Sequence, residues 1–599
     1  MSTISETDAV YQQAEEVLIK YFGYPSFREG QKEIVQSLLS GHDTVGIMPT
    51  GGGKSICYQV PAVLFEGVTI VISPLISLMK DQVDVLVRMG VPAVHINSSL
   101  DSMEVQQRMK QASRGEYKLL YVAPERLESE RFLALTKQLP VSFVAIDEAH
   151  CISQWGHDFR PSYAAIAQFI QSLPNRPVVG AFTATATPEV TEDIRRQLSL
   201  VDDQLFVTGF GRENLTFSVR KGEDRRRFVQ DYLQAKSGQS GIVYAATRKE
   251  VDDLYEHLLA RGFSVTRYHA GLDDRERARN QDLFLFDDVR TIIATNAFGM
   301  GIDKSNVRYV IHYNMPKHLE GYYQEAGRAG RDGEPSECIL LFHPQDIQTQ
   351  KYLISQSQQA EERKEHEYKK LYAMIDYCRT PRCLQHYIVQ YFGENSAKEC
   401  GQCSNCTNVA EWTDITVEAQ KIFSCVKRMR ERFGVQLIAQ VLKGSKNKKV
   451  AQFRFDQLPT YGTMSQYTEK EIADLIHLLI AEGYMAMTGG QYPVVTLSER
   501  ALPVLKGQES VQQKVPVRPT VQEADDALFE RLRQLRKEIS QTEGVPPYVV
   551  FHDSTLKEMS RLCPTDRETF LTVKGVGESK FEKYGQAFLE CLRAYAAEK

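Results

Sequence analysis

Met48-Pro49-Thr50-Gly51-Gly52-Gly53-Lys54-Ser55 decides how this chain is read. A short apolar run, Thr44 to Met48, precedes it and reads as a buried strand. Ile56 to Val60 follows and reads as the start of a helix. Strand, glycine-rich loop and helix is the context of a phosphate-binding loop. The glycines let backbone N–H groups turn inward onto phosphate oxygens, and a helix N-terminus adds partial positive charge. In that arrangement Thr50, Gly51, Gly52 and Gly53 form the cradle, Lys54 reaches the β- and γ-phosphates, and Ser55 holds Mg2+. The strict spacing G-x-x-x-x-G-K-[ST] is not met, because Met48 stands where its first glycine falls. An ordinary glycine-rich turn is the competing reading, and the surrounding sequence decides between the two.

Downstream, apolar strands alternate with helical stretches. Val68 to Ser73, Lys118 to Val122 and Val144 to Ile146 are strand candidates, and the last runs into Asp147-Glu148-Ala149-His150. The alternation implies a parallel sheet with helices on both faces, whose ligands bind beyond the carboxyl ends of the strands. At such an end Asp147 can support Mg2+ and Glu148 can polarise an attacking water. An acidic pair there is often only a helix N-terminal preference. After Gly-Lys-Ser in this order, it signals nucleotide hydrolysis. Upstream, Phe22 to Gln31 brings together aromatics, Arg28 and Gln31, which suits stacking on a purine and hydrogen bonding to adenine.

Asp-Glu-Ala-His together with Gly-Lys-Ser resembles the superfamily 2 helicases. The continuation Cys151-Ile152-Ser153-Gln154-Trp155-Gly156-His157-Asp158-Phe159-Arg160-Pro161 closely resembles the RecQ DNA helicases. The resemblance implies that Tyr24, Arg28 and Gln31 read adenine. It also implies that Trp155, His157, Phe159 and Arg160 belong to an aromatic-rich loop that senses single-stranded DNA and couples it to ATP hydrolysis. The chemistry agrees: Trp155 and Phe159 offer stacking faces, and Arg160 offers a cation beside phosphates. Phe182 to Thr187 ends another strand with small hydroxyl residues suited to a hinge.

A second set of strand–helix units follows, at Gly241 to Tyr244, Val265 to Tyr268, Thr291 to Ala294 (leading into Thr295 to Asp303) and Tyr309 to His312. It carries no second phosphate loop, so this lobe is expected to complete the site from across a cleft. Tyr322 to Gly333 contains Gln324, Arg328 and Arg331. At helical spacing the two arginines would share one face. By resemblance, Arg331 is the finger that stabilises the transferring phosphoryl, Arg328 contacts the γ-phosphate, and Gln324 lies on the nucleotide site.

Gln348 to Tyr377 reads as one polar helical stretch. Beyond it, Cys383, Cys400, Cys403 and Cys406 include two C-x2-C steps sharing a cysteine, a spacing able to close a tetrahedral structural zinc site. The resemblance assigns these four to the family's zinc module and leaves Cys378 out. Two amphipathic helices, Glu418 to Phe433 and Glu469 to Glu482, precede strands Tyr484 to Met487 and Val494 to Leu497, separated by Gly489-Gly490, which suggests a winged helix. Tyr492 in that hairpin is a candidate separating wedge. Lys443, Lys446, Lys448 and Lys449 form the densest basic cluster and could neutralise duplex phosphates. Gln508 to Thr520 reads as a linker. The remainder is helical, and Thr572 to Lys580 resembles the glycine hairpin of an HRDC domain.

The totals set outer limits. The chain has 599 residues, a formal net charge of −5 and 11 cysteines. It is therefore multidomain, not basic overall, and not a secreted disulfide framework. No apolar run reaches the length of a membrane span, and Met1 to Glu6 lacks signal-peptide character, so the expected compartment is the cytosol; the resemblance implies a bacterial one, at the nucleoid.

The expected fold is multidomain α/β. It comprises a RecA-like parallel-sheet lobe (1–205), a second such lobe (206–345), a helical zinc-binding module (346–408), a winged-helix domain (409–507), a linker (508–523) and a small all-helical HRDC domain (524–599). The resemblance implies an ATP-, Mg2+- and Zn2+-dependent 3′-to-5′ DNA helicase of recombination, replication and repair. It would act as a monomer on single-stranded and forked duplex DNA. Candidate protein partners are a single-stranded-DNA-binding protein and other repair proteins. An RNA-directed helicase and an ATP-gated DNA scaffold or remodeller are the alternatives.

Overall fold

The structure is a computed structural model. It describes residues 6–97, 100–299, 304–357, 360–394, 398–408, 410–488, 493–516, 526–543, 547–573 and 575–598. The chain divides into two compact units, Met1–Asn408 with Asp414–Gln513, and Val409–Thr413 with Lys514–Lys599.

Two parallel sheets form the body of the first unit. The first contains β1 (Thr44–Ile47), β2 (Val68–Ile72), β3 (Ala93–Ile96), β4 (Leu119–Val122), β5 (Val141–Ile146), β6 (Val178–Thr183) and β7 (Gln204–Val207). Their order across the sheet is β3-β4-β2-β5-β6-β1-β7. β1, β2 and β4 are buried at every position, as strands covered by helices on both faces must be. The second sheet contains β8 (Leu215–Lys221), β9 (Ser240–Tyr244), β10 (Val265–Tyr268), β11 (Thr291–Ala294), β12 (Val307–His312) and β13 (Ser336–Phe342), ordered β10-β11-β9-β12-β13-β8. The segment between β7 and β8 joins one sheet to the other, since β7 pairs with β1 and β8 with β13.

The polar stretch expected as one helix is two, Pro344–Gln356 and Glu361–Arg379. The break follows from chain entry: Ser357 at the first helix's C-cap and Ala360 at the second's N-cap are both extended. A short helix, Leu384–Tyr391, then leads to the cysteine knuckle. Ser404 N–H donates to the Phe217 carbonyl at 2.9 Å, and Val219 N–H donates to Ser404 Oγ at 3.3 Å. The knuckle thereby covers the otherwise open edge of β8.

Helices Thr416–Arg428, Val435–Lys443 and Glu469–Ala481 surround a separate apolar core, followed by the antiparallel pair Met485–Met487 and Val495–Leu497. The hairpin follows these helices as expected, but they are three where two were expected: the first ends at Arg428, and Arg430 and Glu431, both at positive φ, turn the chain toward Val435–Lys443. The hairpin tip, with Gly489, Gly490 and Tyr492, lies outside the described residues, as do Met300 to Asp303 and Lys574. Gln512–Pro516, inside the stretch expected as a linker, is a strand paired with Ala410–Asp414, because its extended residues find a partner strand. From Asp526 on, the second unit is helical around its own core, which includes Leu532, Phe551, Phe570 and Phe588. No described helix is long and apolar enough to cross a membrane.

Candidate functional site

The phosphate loop leaves β1 and enters helix Lys54–Leu64. Gly51 and Gly53 take the left-handed conformation, at φ 83° and 79°. A Cβ on Gly53 would also meet Gln31 Nε2 at 2.4 Å. No side chain caps the helix start. Ile56 N–H donates to the Gly53 carbonyl at 3.1 Å, which leaves the N–H groups of Lys54 and Ser55 for an anion among the described residues, and the helix dipole favours one. Gln31, buried, donates from Nε2 to the Gly52 and Gly53 carbonyls at 3.1 and 3.2 Å. Arg28 Nη1 donates to the Gly51 carbonyl at 2.9 Å. The upstream motif is therefore bonded to the loop itself, while Tyr24 is half exposed.

Asp147 and Glu148 stand beyond the end of β5. Glu148 is held at φ 49°, a strained conformation for a non-glycine residue. Burial, reinforced by the Glu148 charge, pushes the Asp147 carboxyl up to about 7. Burial also opposes charge on Glu148, but the His150 hydrogen bond, the His150 charge, Lys54 and Arg328 outweigh it and hold that carboxyl at about 2. Burial lowers the Lys54 ammonium, although both carboxylates oppose the shift. Two buried carboxylates against one lysine fit a divalent cation, with Ser55 and Asp147 as its candidate holders.

The second lobe brings its arginines to this point. They do not share a helical face as their spacing suggested. Helix Leu319–Ala326 ends before them, and Gly330, at φ 57°, turns the chain between them. The turn places Arg331 against the phosphate loop, its Cγ 3.4 Å from where a Cβ on Gly51 would stand. Arg328 is buried, and its Nε and Nη1 have no hydrogen-bond partner among the described residues. Gln324 lies on the helix that leads to both. A third arginine, Arg212, spans the cleft through four backbone carbonyls. The sequence reading passed over it because Phe210-Gly211-Arg212-Glu213-Asn214 shows no motif spacing.

The aromatic-rich loop lies directly behind the acidic pair. His150 Nδ1 is 3.3 Å from Glu148 Oε2 and 2.9 Å from Thr183 Oγ1. The His150 ring stacks on His157, with centroids 4.3 Å apart, and His157 meets the edge of His318 from the second lobe at 5.2 Å. Burial, with the neighbouring His150, His318 and Lys370, holds His157 well below the usual histidine range. A displacement of this loop therefore moves a ring that touches the ring facing Glu148. The aromatic faces themselves are covered by helix Glu361–Arg379. Trp155 lies 5.1 Å from the His366 ring, and the Arg363 guanidinium sits over Phe159 at 4.8 Å. Lys370 Nζ donates to the Trp155 carbonyl at 2.6 Å and pairs with Glu320 at 3.2 Å. Arg160 is tied to Asp158 and to the Pro74 carbonyl at 2.8 Å.

Cys383, Cys400, Cys403 and Cys406 place their sulfurs within 4.8 Å of one another. Cys383 and Cys403 are 3.9 Å apart at sulfur. A tetrahedron with ~2.3 Å zinc–sulfur bonds has edges of about 3.8 Å, so the cluster fits zinc. Backbone N–H groups of Leu384, His386, Cys400 and Cys403 point at these sulfurs and favour thiolates. Cys378 stands apart from the cluster, its thiol pushed up by burial. In the winged helix, Lys443 ends its helix and bonds the Ser465 carbonyl, whereas Lys446, Lys448 and Lys449 are exposed.

The chain matches the DEAD/DEAH box helicase model over residues 28–194 and the helicase conserved C-terminal domain over 224–333. It matches RecQ zinc-binding over 344–407, the RQC domain over 410–522 and the HRDC domain over 525–592. It is 52% identical over 584 residues to the ATP-dependent DNA helicase RecQ of Bacillus subtilis, covering 97% of this chain and 99% of that protein. The corresponding figures for the Pasteurella multocida ATP-dependent DNA helicase RecQ are 39% over 596 residues, 98% and 94%. The RecQ-like DNA helicase BLM of Xenopus laevis is 34% identical over 634 residues, covering 96% of this chain and 46% of that longer protein. A nucleotide cleft shared by two parallel-sheet lobes, a four-cysteine cluster, and near full-length identity place this chain in the RecQ family of ATP-dependent DNA helicases.

Proposed function

We propose that this chain couples ATP hydrolysis in the interlobe cleft to 3′-to-5′ movement along single-stranded DNA and the opening of forked duplex, in recombination, replication and repair. The juxtaposition that carries the reading is Lys54, Asp147 and Glu148 of the first lobe facing Arg328 and Arg331 of the second. Lys54 and the open helix N-terminus bind the β- and γ-phosphates. Glu148, ionised, orients and takes a proton from the attacking water. Arg331 stabilises charge on the transferring phosphoryl, a role worth ~10³–10⁵ in rate. Arg328 holds the γ-phosphate with Nε and Nη1, which have no acceptor among the described residues. Tyr24 faces the base, and Arg28 and Gln31 reach it by giving up the loop carbonyls that they bond here. Magnesium, held by Ser55 and Asp147, would neutralise phosphate charge during transfer.

Hydrolysis removes the γ-phosphate contact shared by the lobes and so lets the cleft open. Trp155, His157, Phe159 and Arg160 carry that change to the bound strand, and Lys446, Lys448 and Lys449 add electrostatic attraction for duplex phosphates. Melting costs about 1.4 kcal/mol per base-pair step, so unwinding needs repeated turnover. The six-part division given above is the matching domain proposal.

The test is strand separation on partial duplexes bearing only a 3′ or only a 5′ tail, with ATP and Mg2+. Lys54→Ala serves as the blank, and RNA serves as competitor in the DNA-stimulated hydrolysis assay. Unwinding from the 3′ tail alone is expected, with hydrolysis lost in Lys54→Ala and Glu148→Ala while DNA binding persists. Hydrolysis without strand separation would overturn the helicase assignment, and efficient RNA competition would redirect it to RNA.

A further inference from the structure

Arg212 lies in the single segment that joins the two sheets, after β7 and before β8. Its guanidinium is directed wholly at backbone carbonyls. Nη1 donates to Thr50 at 2.5 Å and to Gly327 at 3.4 Å. Nη2 donates to Ala329 at 3.2 Å and to Gly330 at 3.1 Å. Three of these peptides are those that lead into Gly51, Arg328 and Arg331. In a trans peptide the N–H points opposite to the C=O. Holding the Thr50 carbonyl therefore orients the Gly51 N–H of the phosphate loop. Holding Gly327 and Gly330 fixes the backbone from which both arginines project. Asn214, two residues on, donates to the same Gly330 carbonyl at 2.8 Å.

The arrangement has two further properties. The acceptors come from both lobes, so the full set exists only while the cleft is closed. Among the described residues the cation also has no carboxylate partner. Burial lowers its affinity for protons, and Arg28 nearby lowers it further. A Cβ on Gly51 would stand 3.6 Å from Nη1. The nearest compensating anion that the site is built to accept is thus the polyphosphate itself. A strut placed only for stability would be expected to end on a carboxylate, since burying a cation against neutral carbonyls is costly.

We propose that Arg212 is the positioning residue that registers the phosphate loop against Arg328 and Arg331 in the closed cleft. It thereby sets the rate of the chemical step and not the affinity for ATP. The proposal rests on the assignment of Arg331 as the finger given above. Lysine keeps the charge but, as a single ammonium, cannot reproduce the planar fork toward four acceptors. A misplacement on the order of 1 Å costs about 10²-fold in rate.

The experiment uses the full chain as Arg212→Lys, Arg331→Ala and the double variant. Steady-state ATP hydrolysis is measured at saturating single-stranded DNA, with binding of a fluorescent ATP analogue and thermal melting alongside. The expected result for Arg212→Lys is a kcat lower by about 10²-fold. KM and analogue affinity should stay within about threefold of wild type, since an interaction made only in the transition state lowers kcat alone. The double variant should be slowed by less than the product of the two single losses, because part of what Arg212 does passes through the finger. Retained kcat in Arg212→Lys, a loss confined to KM, or additive losses in the double variant would overturn the proposal. Full turnover in Arg331→Ala beside a slow Arg212→Lys would instead overturn the finger assignment and leave the strut standing. Arg212→Gln, neutral and smaller, serves as the second variant if the lysine substitution lowers the melting temperature.

Discussion

Replacing Arg328 with methionine should leave the nucleotide-free protein at least as stable as wild type while removing its response to nucleotide. Arg328 is 3% exposed, and its Nε and Nη1 have no hydrogen-bond partner among the described residues. Each buried, unsatisfied donor costs ~1–3 kcal/mol, so relieving both offers at most about 2–6 kcal/mol. Part of that is lost, because the Arg328 charge helps to hold Glu148 ionised. Methionine keeps the unbranched apolar stem and so avoids most of a cavity penalty. A net change from zero to a gain of about 3 kcal/mol follows, and each kcal/mol moves a 150–250-residue unit by ~2–4 °C. With nucleotide at a hundred times its dissociation constant, wild type gains ~2.7 kcal/mol; a variant binding a hundredfold more weakly gains only ~0.4 kcal/mol at that concentration. The assay is thermal melting with and without a non-hydrolysable ATP analogue and Mg2+. A variant that melts well below wild type without nucleotide, yet keeps the full nucleotide shift, would refute the reasoning. Arg328 would then be a structural cation.

Three further outcomes are expected. Cys403→Ser should release zinc, read by metal quantification of the purified chain, and should loosen the knuckle from β8; normal zinc content would refute the ligand set. In a Trp412→Phe background, single-stranded DNA should change Trp155 emission by displacing His366, and Arg363→Ala should tighten binding about two- to fivefold by uncovering Phe159. Weaker binding in Arg363→Ala would make that arginine itself a DNA contact. Burial, aided by Arg379 and Lys351, lowers His477 to about 3. An unfolded histidine titrates near ~6.5, so the unfolded chain binds the extra proton, and stability is complete above that pH and falls as pH drops toward 3. His477→Gln should flatten this acid limb of the melting curve, and an unchanged slope would count against it.

The phosphate loop, the acidic pair at a strand end and the four-cysteine spacing were legible in the sequence because each is a local device. Gly53 is left-handed, Asp147 follows a buried strand, and two C-x2-C steps sharing a cysteine bring three thiols into one short turn. The two lobes were legible for the same reason, from uninterrupted apolar strands alternating with helices. What joins these parts was not legible. Arg328 and Arg331 meet the phosphate loop because Gly330 turns the chain, not because a helix carries them. Arg212 acquires its four acceptors from segments more than a hundred residues away in sequence. Its partners are backbone carbonyls, which leave no trace in side-chain spacing. The covering of Trp155 and Phe159 by His366 and Arg363 likewise depends on a helix some two hundred residues later. Local motifs are fixed by backbone conformation and residue chemistry, so sequence alone determines them. The register of one lobe against the other is fixed by packing, and only the folded chain decides it.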